Sequence, residues 1–223
     1  MVAATTPPCI VFAWRAQMTE NAAPQTTSPI TMPTPFTPVA LEHASRLLNH
    51  GPTVLVTSAH GDRRNVMAAA WSMPVEFSPP RIAIVIDKNT FTRELIAASG
   101  TFGVCIPGAA LADLTFAVGS CSGRDTDKFA RFGVEPLRGP VLGMPLLEAG
   151  CAAWLEYRVI PERHTEDAYD TCFAEVVAAA ADPAVFADGR WDFRADNAAL
   201  HTLHHLGAGN FARASDVIRA RPL

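Results

Sequence analysis

Asn65-Val66-Met67-Ala68-Ala69-Ala70-Trp71-Ser72-Met73-Pro74-Val75-Glu76-Phe77 is the stretch on which the fold turns. It is mostly apolar and contains a proline that cannot donate to a sheet ladder. It reads as a strand bent at Pro74. Before it, residues 53–58 (TVLVTS) form a β-rich run between Gly51-Pro52 and His60-Gly61-Asp62, a strand leading into a turn. After it, Pro79-Pro80 separates residues 81–87 (RIAIVID), an alternating third strand.

The reading extends outward in both directions. Residues 39–49 read as a short helix ended by His50-Gly51-Pro52. Residues 92–99 (TRELIAAS) are helical, with Gly100 as the stop, and 101–106 (TFGVCI) form a fourth strand. A helix over 109–118 and a short helical turn over 125–132 follow. Residues 151–160 and 171–180 are two further strands joined by a charged turn. Consecutive strands with few helices between them predict a mainly β domain with flanking helices, a mostly antiparallel barrel rather than a βαβ sheet.

The domain is expected to occupy residues 39–223. Residues 1–38 carry Pro7, Pro8, Pro24, Pro29, Pro33, Pro35 and Pro38 among many Thr and Ser. That composition cannot offset its ordering entropy and predicts a disordered arm, within which Met18 and Met32 are alternative starts.

The 223 residues are 49% hydrophobic, with a net charge of -4, so one sizeable core is expected and nucleic-acid binding is not. Cys9, Cys105, Cys121, Cys151 and Cys172 are scattered without a CxxC pair, which fits a reducing cytoplasm rather than a disulfide framework. No apolar run approaches the ~20 residues of a membrane helix.

Four constellations bear on chemistry. Lys88-Asn89-Thr90-Phe91-Thr92-Arg93 lies where a strand meets a helix. It is either ordinary Thr capping with two solvated cations or a phosphate site built on free N–H groups. The alanine run of 68–70 either packs tightly under a helix, with Trp71 in the core, or lets a flat ring approach its backbone. Residues 119–129 (GSCSGRDTDKF) are a solvated loop with Asp125 as a cap, or a loop that touches substrate. His201, His204 and His205 (HxxHH) place two imidazoles on one face if helical, a metal site or a cofactor lining. GxGxxG, GxxxxGK[ST] and GxSxG are all missing.

In order and spacing, TVLVTS, NVMAAAW, PVEFSPPRIAIVI, FTRELIAASGTFGVCIP, GSCSGRDTDKF and LHHLGAGNF resemble the flavin reductase-like, FMN-binding split-barrel family, near its flavoredoxin-like members. The resemblance spans residues 39–215. It implies a split β-barrel holding FMN at a homodimer interface. Asn65 and Trp71 match flavin-contacting positions, with the intervening Val66, Met67, Ala69 and Ala70 backbone, and Ser72 beyond it, facing the ring. Thr92 matches a threonine near the phosphate, flanked by Lys88 and Thr90, and Lys128 matches a lysine that reaches the flavin or its phosphate tail. Cys105 stands where relatives often carry Asn, and Tyr169 where they often carry His.

The resemblance implies an oxidoreductase that takes hydride from NADH or NADPH onto FMN and passes electrons to free flavin, a small molecule or a partner protein. No side chain is required as acid or base. A non-catalytic FMN-binding or electron-carrier protein is the second reading, and a metal enzyme built on the histidines the third.

Overall fold

The computed structural model describes residues 36–221. The expected N-terminal arm falls almost wholly outside them, as do Met18, Met32 and Cys9. In chain order the strands are β1 (Thr37–Pro38), β2 (Val54–His60), β3 (Arg63–Ala69), β4 (Ser72–Phe77), β5 (Pro80–Val85), β6 (Thr101–Pro107), β7 (Leu137–Arg138), β8 (Pro145–Leu146), β9 (Cys151–Ile160), β10 (Thr171–Ala181), β11 (Phe186–Ala187), β12 (Arg190–Trp191), β13 (Leu203–Gly207) and β14 (Asn210–Arg213). The helices are α1 (Leu41–Ala44), α2 (Phe91–Ser99), α3 (Ala112–Gly119), α4 (Lys128–Arg131) and α5 (Arg163–Tyr169).

One antiparallel sheet dominates, in the order β3-β2-β6-β9-β10-β5-β4, with β1 added to β10. Its two end strands, β3 and β4, follow one another directly in the chain. The sheet therefore curls until its ends meet at a corner, giving a split barrel. That corner corrects the expected single strand over 65–77. The break falls at Ala70-Trp71, and Pro74 sits within β4, beside a register shift against β5. A proline is tolerated there because β4 is an edge strand, so its missing N–H removes no ladder bond. The charged turn expected between the last long strands also contains the short helix α5.

Strand periodicity explains the core. In β2, Val54 and Val56 face one buried cluster with Ile82, Ile84, Phe102 and Tyr157, while Leu55 faces a second with Val66, Cys105, Val118, Phe129 and Trp154. Both faces of β2 are covered, which is why its sequence is a continuous apolar run. The half-covered β5 alternates instead, with Pro80, Ile82 and Ile84 buried. A fully buried carboxylate, Glu156 on β9, accepts the N–H groups of Val141 (2.8 Å), Leu142 (2.9 Å) and Met144 (3.2 Å), pinning that loop to the barrel.

The histidine run does not form a helical face. His201 follows a 3-10 turn, and His204 and His205 lie on β13 and point to opposite sides. His201 Nε2 meets Arg194 O and Asn197 Oδ1, both at 2.9 Å. His204 packs edge-on to His50 (5.6 Å between rings), which also contacts Trp191 and reaches Thr202 Oγ1 at 2.9 Å. Among the described residues no cluster of three or more His, Cys, Asp or Glu is placed to hold a metal ion.

Burial, and secondarily His204, lower the pKa of His50 from 6.5 to about 4. The unfolded chain therefore takes up the proton first as pH falls, and stability is lost from about pH 6.5 down to about 4. Between pH 7 and 5 this loss amounts to about 2 kcal/mol. Urea unfolding of the wild type and His50→Gln at both pH values checks it. The drop is expected to shrink in the variant; equal drops would clear His50 of the effect.

Candidate functional site

β3 pairs only with β2, so its other edge carries backbone groups outside the ladder. Along that edge Met67, Ala68 and Ala69 are half-buried and Ala70 is exposed. The C-terminal end of α3 packs on this strand so closely that a Cβ on Gly119 would stand 3.3 Å from the Ala68 methyl. Small residues are required here by helix packing and also leave the outer backbone open.

The strand's start is held by a buried polar group. Asn65 Nδ2 donates to Thr92 Oγ1 at 2.8 Å, and both residues are buried. Thr92 sits in the first turn of α2, whose N-cap is Thr90, with its hydroxyl accepting from Arg93 N at 3.2 Å. Asn65 Oδ1 is buried with no hydrogen-bond partner among the described residues. It faces Gly123, where an added Cβ would collide with both Asn65 and the Phe91 ring.

Lys128, the first residue of α4, is 3% exposed. Its Nζ donates to Val66 O (2.9 Å) on β3 and to Val118 O (2.6 Å) on α3. Burial pushes its pKa below the ordinary lysine value, with Cys121 opposing. The two carbonyls leave one ammonium proton for another acceptor. The structure therefore brings Asn65, Val66, Thr92 and Lys128 together.

Lys88 sits against α5 instead, and Tyr169 is the last residue of that helix. Lys88 Nζ donates to Asp167 O at 2.7 Å and lies 3.5 Å from the Asp170 carboxylate. Tyr169 is exposed, its ring edge-on to His164. Trp71 is 75% exposed, so it is not the core residue that one reading of the alanine run allowed. Its carbonyl accepts Val85 N at 2.9 Å, and Ser72 pairs with Ile84. Cys105 lies fully buried in the core, its thiol accepting Leu147 N at 3.2 Å and pushed up to about 12 by burial.

Sequence reasoning passed over Arg63 and Arg64. With Asp62, Phe91, Glu94, Gly123, Arg124 and Asp127 they line a cavity of about 440 Å³ beside Asn65. The signal was present, since two arginines directly precede Asn65. Arg63 and Arg124 stand over the Phe91 ring at 5.1 and 5.9 Å, and Arg64 over Phe129 at 4.8 Å.

The profile of the flavin reductase like domain matches residues 46–194. The uncharacterized protein YddH of Escherichia coli (strain K12) is 58% identical over 187 residues, covering 83% of this chain and 98% of that protein. An FMN-binding domain of a flavin reductases-like enzyme from Shewanella baltica has a similar structure. It is 41% identical, with a TM-score of 0.80 over 84% of this chain and 98% of that one. Flavoredoxin of Desulfovibrio vulgaris, 22% identical, shares the fold, with a TM-score of 0.66 over 91% of this chain and 97% of that one. A split barrel with this strand order, this polar cluster and these relatives makes the chain a member of the flavin reductase like domain family.

Proposed function

We propose that the chain is an FMN-dependent oxidoreductase using NADH or NADPH. The observation that carries this reading is the open, side-chain-poor edge of β3, ending in buried polar groups beside the start of α2. A flavin's pyrimidine edge needs backbone donors and acceptors on a flat surface, and its phosphate needs N–H groups and hydroxyls. The residues fit: Asn65 Oδ1 has no partner, and Gly123 leaves a space that any side chain would fill.

In this reading the backbone from Val66 and Met67 through Ala69 and Ala70, with Trp71 and Ser72 beyond, faces the ring. Asn65, Thr90, Thr92, Lys88, Lys128 and Tyr169 serve the polar tail and the rim. Bound FMN would supply the redox chemistry, hydride transfer from NADH or NADPH and onward electron transfer to free flavin or another acceptor. The chain's own groups bind and orient. Thr92 holds the Asn65 amide, and Lys128 holds the β3 edge against α3.

The exposed apolar residues Trp71, Met73, Val75 and Phe77 on and beside β4 support a homodimer, because an apolar patch along an edge strand is a surface that a second copy can cover. Four free thiols, Cys105, Cys121, Cys151 and Cys172, support a reducing, cytoplasmic setting. No helix of the described residues is long and apolar enough to cross a membrane.

Anaerobic mixing of the FMN-loaded protein with NADH and NADPH tests the activity. Bleaching of the flavin absorbance is expected with at least one. No bleaching with either leaves the second reading, a non-catalytic FMN-binding or electron-carrier protein. Thr92→Ala removes the acceptor that orients Asn65, and Gly123→Ala displaces the same amide. Each is expected to weaken FMN binding about tenfold, measured by fluorescence titration of apoprotein. Unchanged affinity in both would refute a flavin role for Asn65.

A further inference from the structure

Strands β13 and β14 form a two-stranded sheet of their own, outside the barrel. Their turn, Ala208-Gly209, has positive φ at both residues (49° and 76°), the conformation that joins two strands in a stiff two-residue hairpin. The tip of this hairpin sits on α3. A Cβ on Gly209 would stand 3.1 Å from the Phe116 ring. The same helix packs on Ala68 of β3 through Gly119 and gives its Val118 carbonyl to Lys128.

Few groups hold the hairpin's base. Thr53 N, at the entry to β2, donates to Leu203 O at 2.7 Å, and Thr202 bridges to Gly108. His50 supplies the side-chain contacts. Its Nε2 shares a hydrogen bond with Thr202 Oγ1 at 2.9 Å, and its ring lies edge-on to His204 (5.6 Å) and Trp191 (5.1 Å), with Phe193 at 6.3 Å. Its Nδ1 is buried with no hydrogen-bond partner among the described residues. In the neutral ring Nδ1 can be the bare nitrogen. A protonated ring would carry an N–H there with no acceptor, and a charge beside His204.

The charged groups of the surrounding elements do not offset that charge. Arg46 turns its guanidinium to Gly189 O (3.1 Å), Glu42 lies against His43, Asp192 and Asp196 pair with Arg194, and Arg190 and Arg213 are exposed. Release of the hairpin would open His50 to water, where its pKa returns from about 4 to the ordinary 6.5. The released form therefore takes up the proton first as pH falls, and acid favours release.

We infer that the β13–β14 hairpin is an acid-released strap: a proton on His50 frees its base from the barrel, and the lost contact with Phe116 loosens α3 over the β3 edge. The release stands on the hairpin's own contacts, and its consequence for FMN rests on the oxidoreductase reading.

Hydrogen exchange of the Thr53 amide reads the release, since that N–H is tied to Leu203 O. On apoprotein, relative to free-chain exchange, its opening constant is expected to rise about 20-fold from pH 7 to pH 5. This opening is expected to ignore low urea, while the amides of β9 and β10 respond to it, as local and global unfolding differ. His50→Gln is expected to abolish the rise. His204→Gln, which removes only the ring contact, is expected to speed Thr53 exchange several-fold at pH 7. FMN affinity is expected to drop several-fold at pH 5 in the wild type and not in His50→Gln. An equal rise in His50→Gln, Thr53 exchange that tracks β9 and β10 in urea, no response to His204→Gln, or FMN affinity equal at both pH values overturns the strap. A chain that takes up no FMN at pH 7 refutes the flavin reading instead, and the exchange measurement still decides the release.

Discussion

An edge strand has to leave one row of backbone groups outside its sheet, and β3 is that strand. Left bare, such an edge invites pairing with another chain. Here it is neither bulged nor guarded by inward charges along its second half. Lys128 caps the carbonyl of Val66, α3 covers one face through the Gly119–Ala68 contact, and the alanines keep the remaining edge accessible. Much of the surrounding structure holds this one edge in place. Thr92 on α2 fixes Asn65, α4 delivers Lys128, and the loop at Gly123 closes over the amide.

The corner at Ala70-Trp71 has two consequences. It turns the chain from one end of the sheet to the other, so the open edge and the exposed apolar row of β4 become neighbours in sequence and meet at the barrel's split. In the proposed dimer, the same corner joins the flavin edge to the surface a second copy covers. The charges nearby are arranged in pairs rather than as a single-sign field. Arg93 spans Ile86 O and Glu166, tying α2 to α5, and the next residue, Glu94, bridges Arg63 and Arg124. One helix therefore carries a buried ion pair and a solvent-exposed one: the Arg93 side chain is 10% exposed, that of Glu94 42%.

The sequence by itself determined the mainly β architecture, because strand and turn signals are local. TVLVTS, RIAIVID and TFGVCI each show β-branched runs bounded by glycine or proline, and Thr90 and Gly100 mark the ends of α2 as cap residues do. It also marked Asn65, Thr92 and Lys128, through motif order. Tertiary structure alone decided that Thr92 meets Asn65 and Lys128 meets the neighbouring Val66, since these contacts join a strand to two helices across 27 and 62 residues of chain. It alone decided that 65–77 breaks at Ala70-Trp71 rather than at Pro74, because an edge strand tolerates proline while barrel closure demands a corner. It placed the histidines on a strand, where HxxHH spacing no longer puts two rings on one face. The ion pairs that join Arg63 and Arg124 to Glu94 were equally out of reach, for residues 63, 94 and 124 meet only when packing brings them around the Phe91 ring.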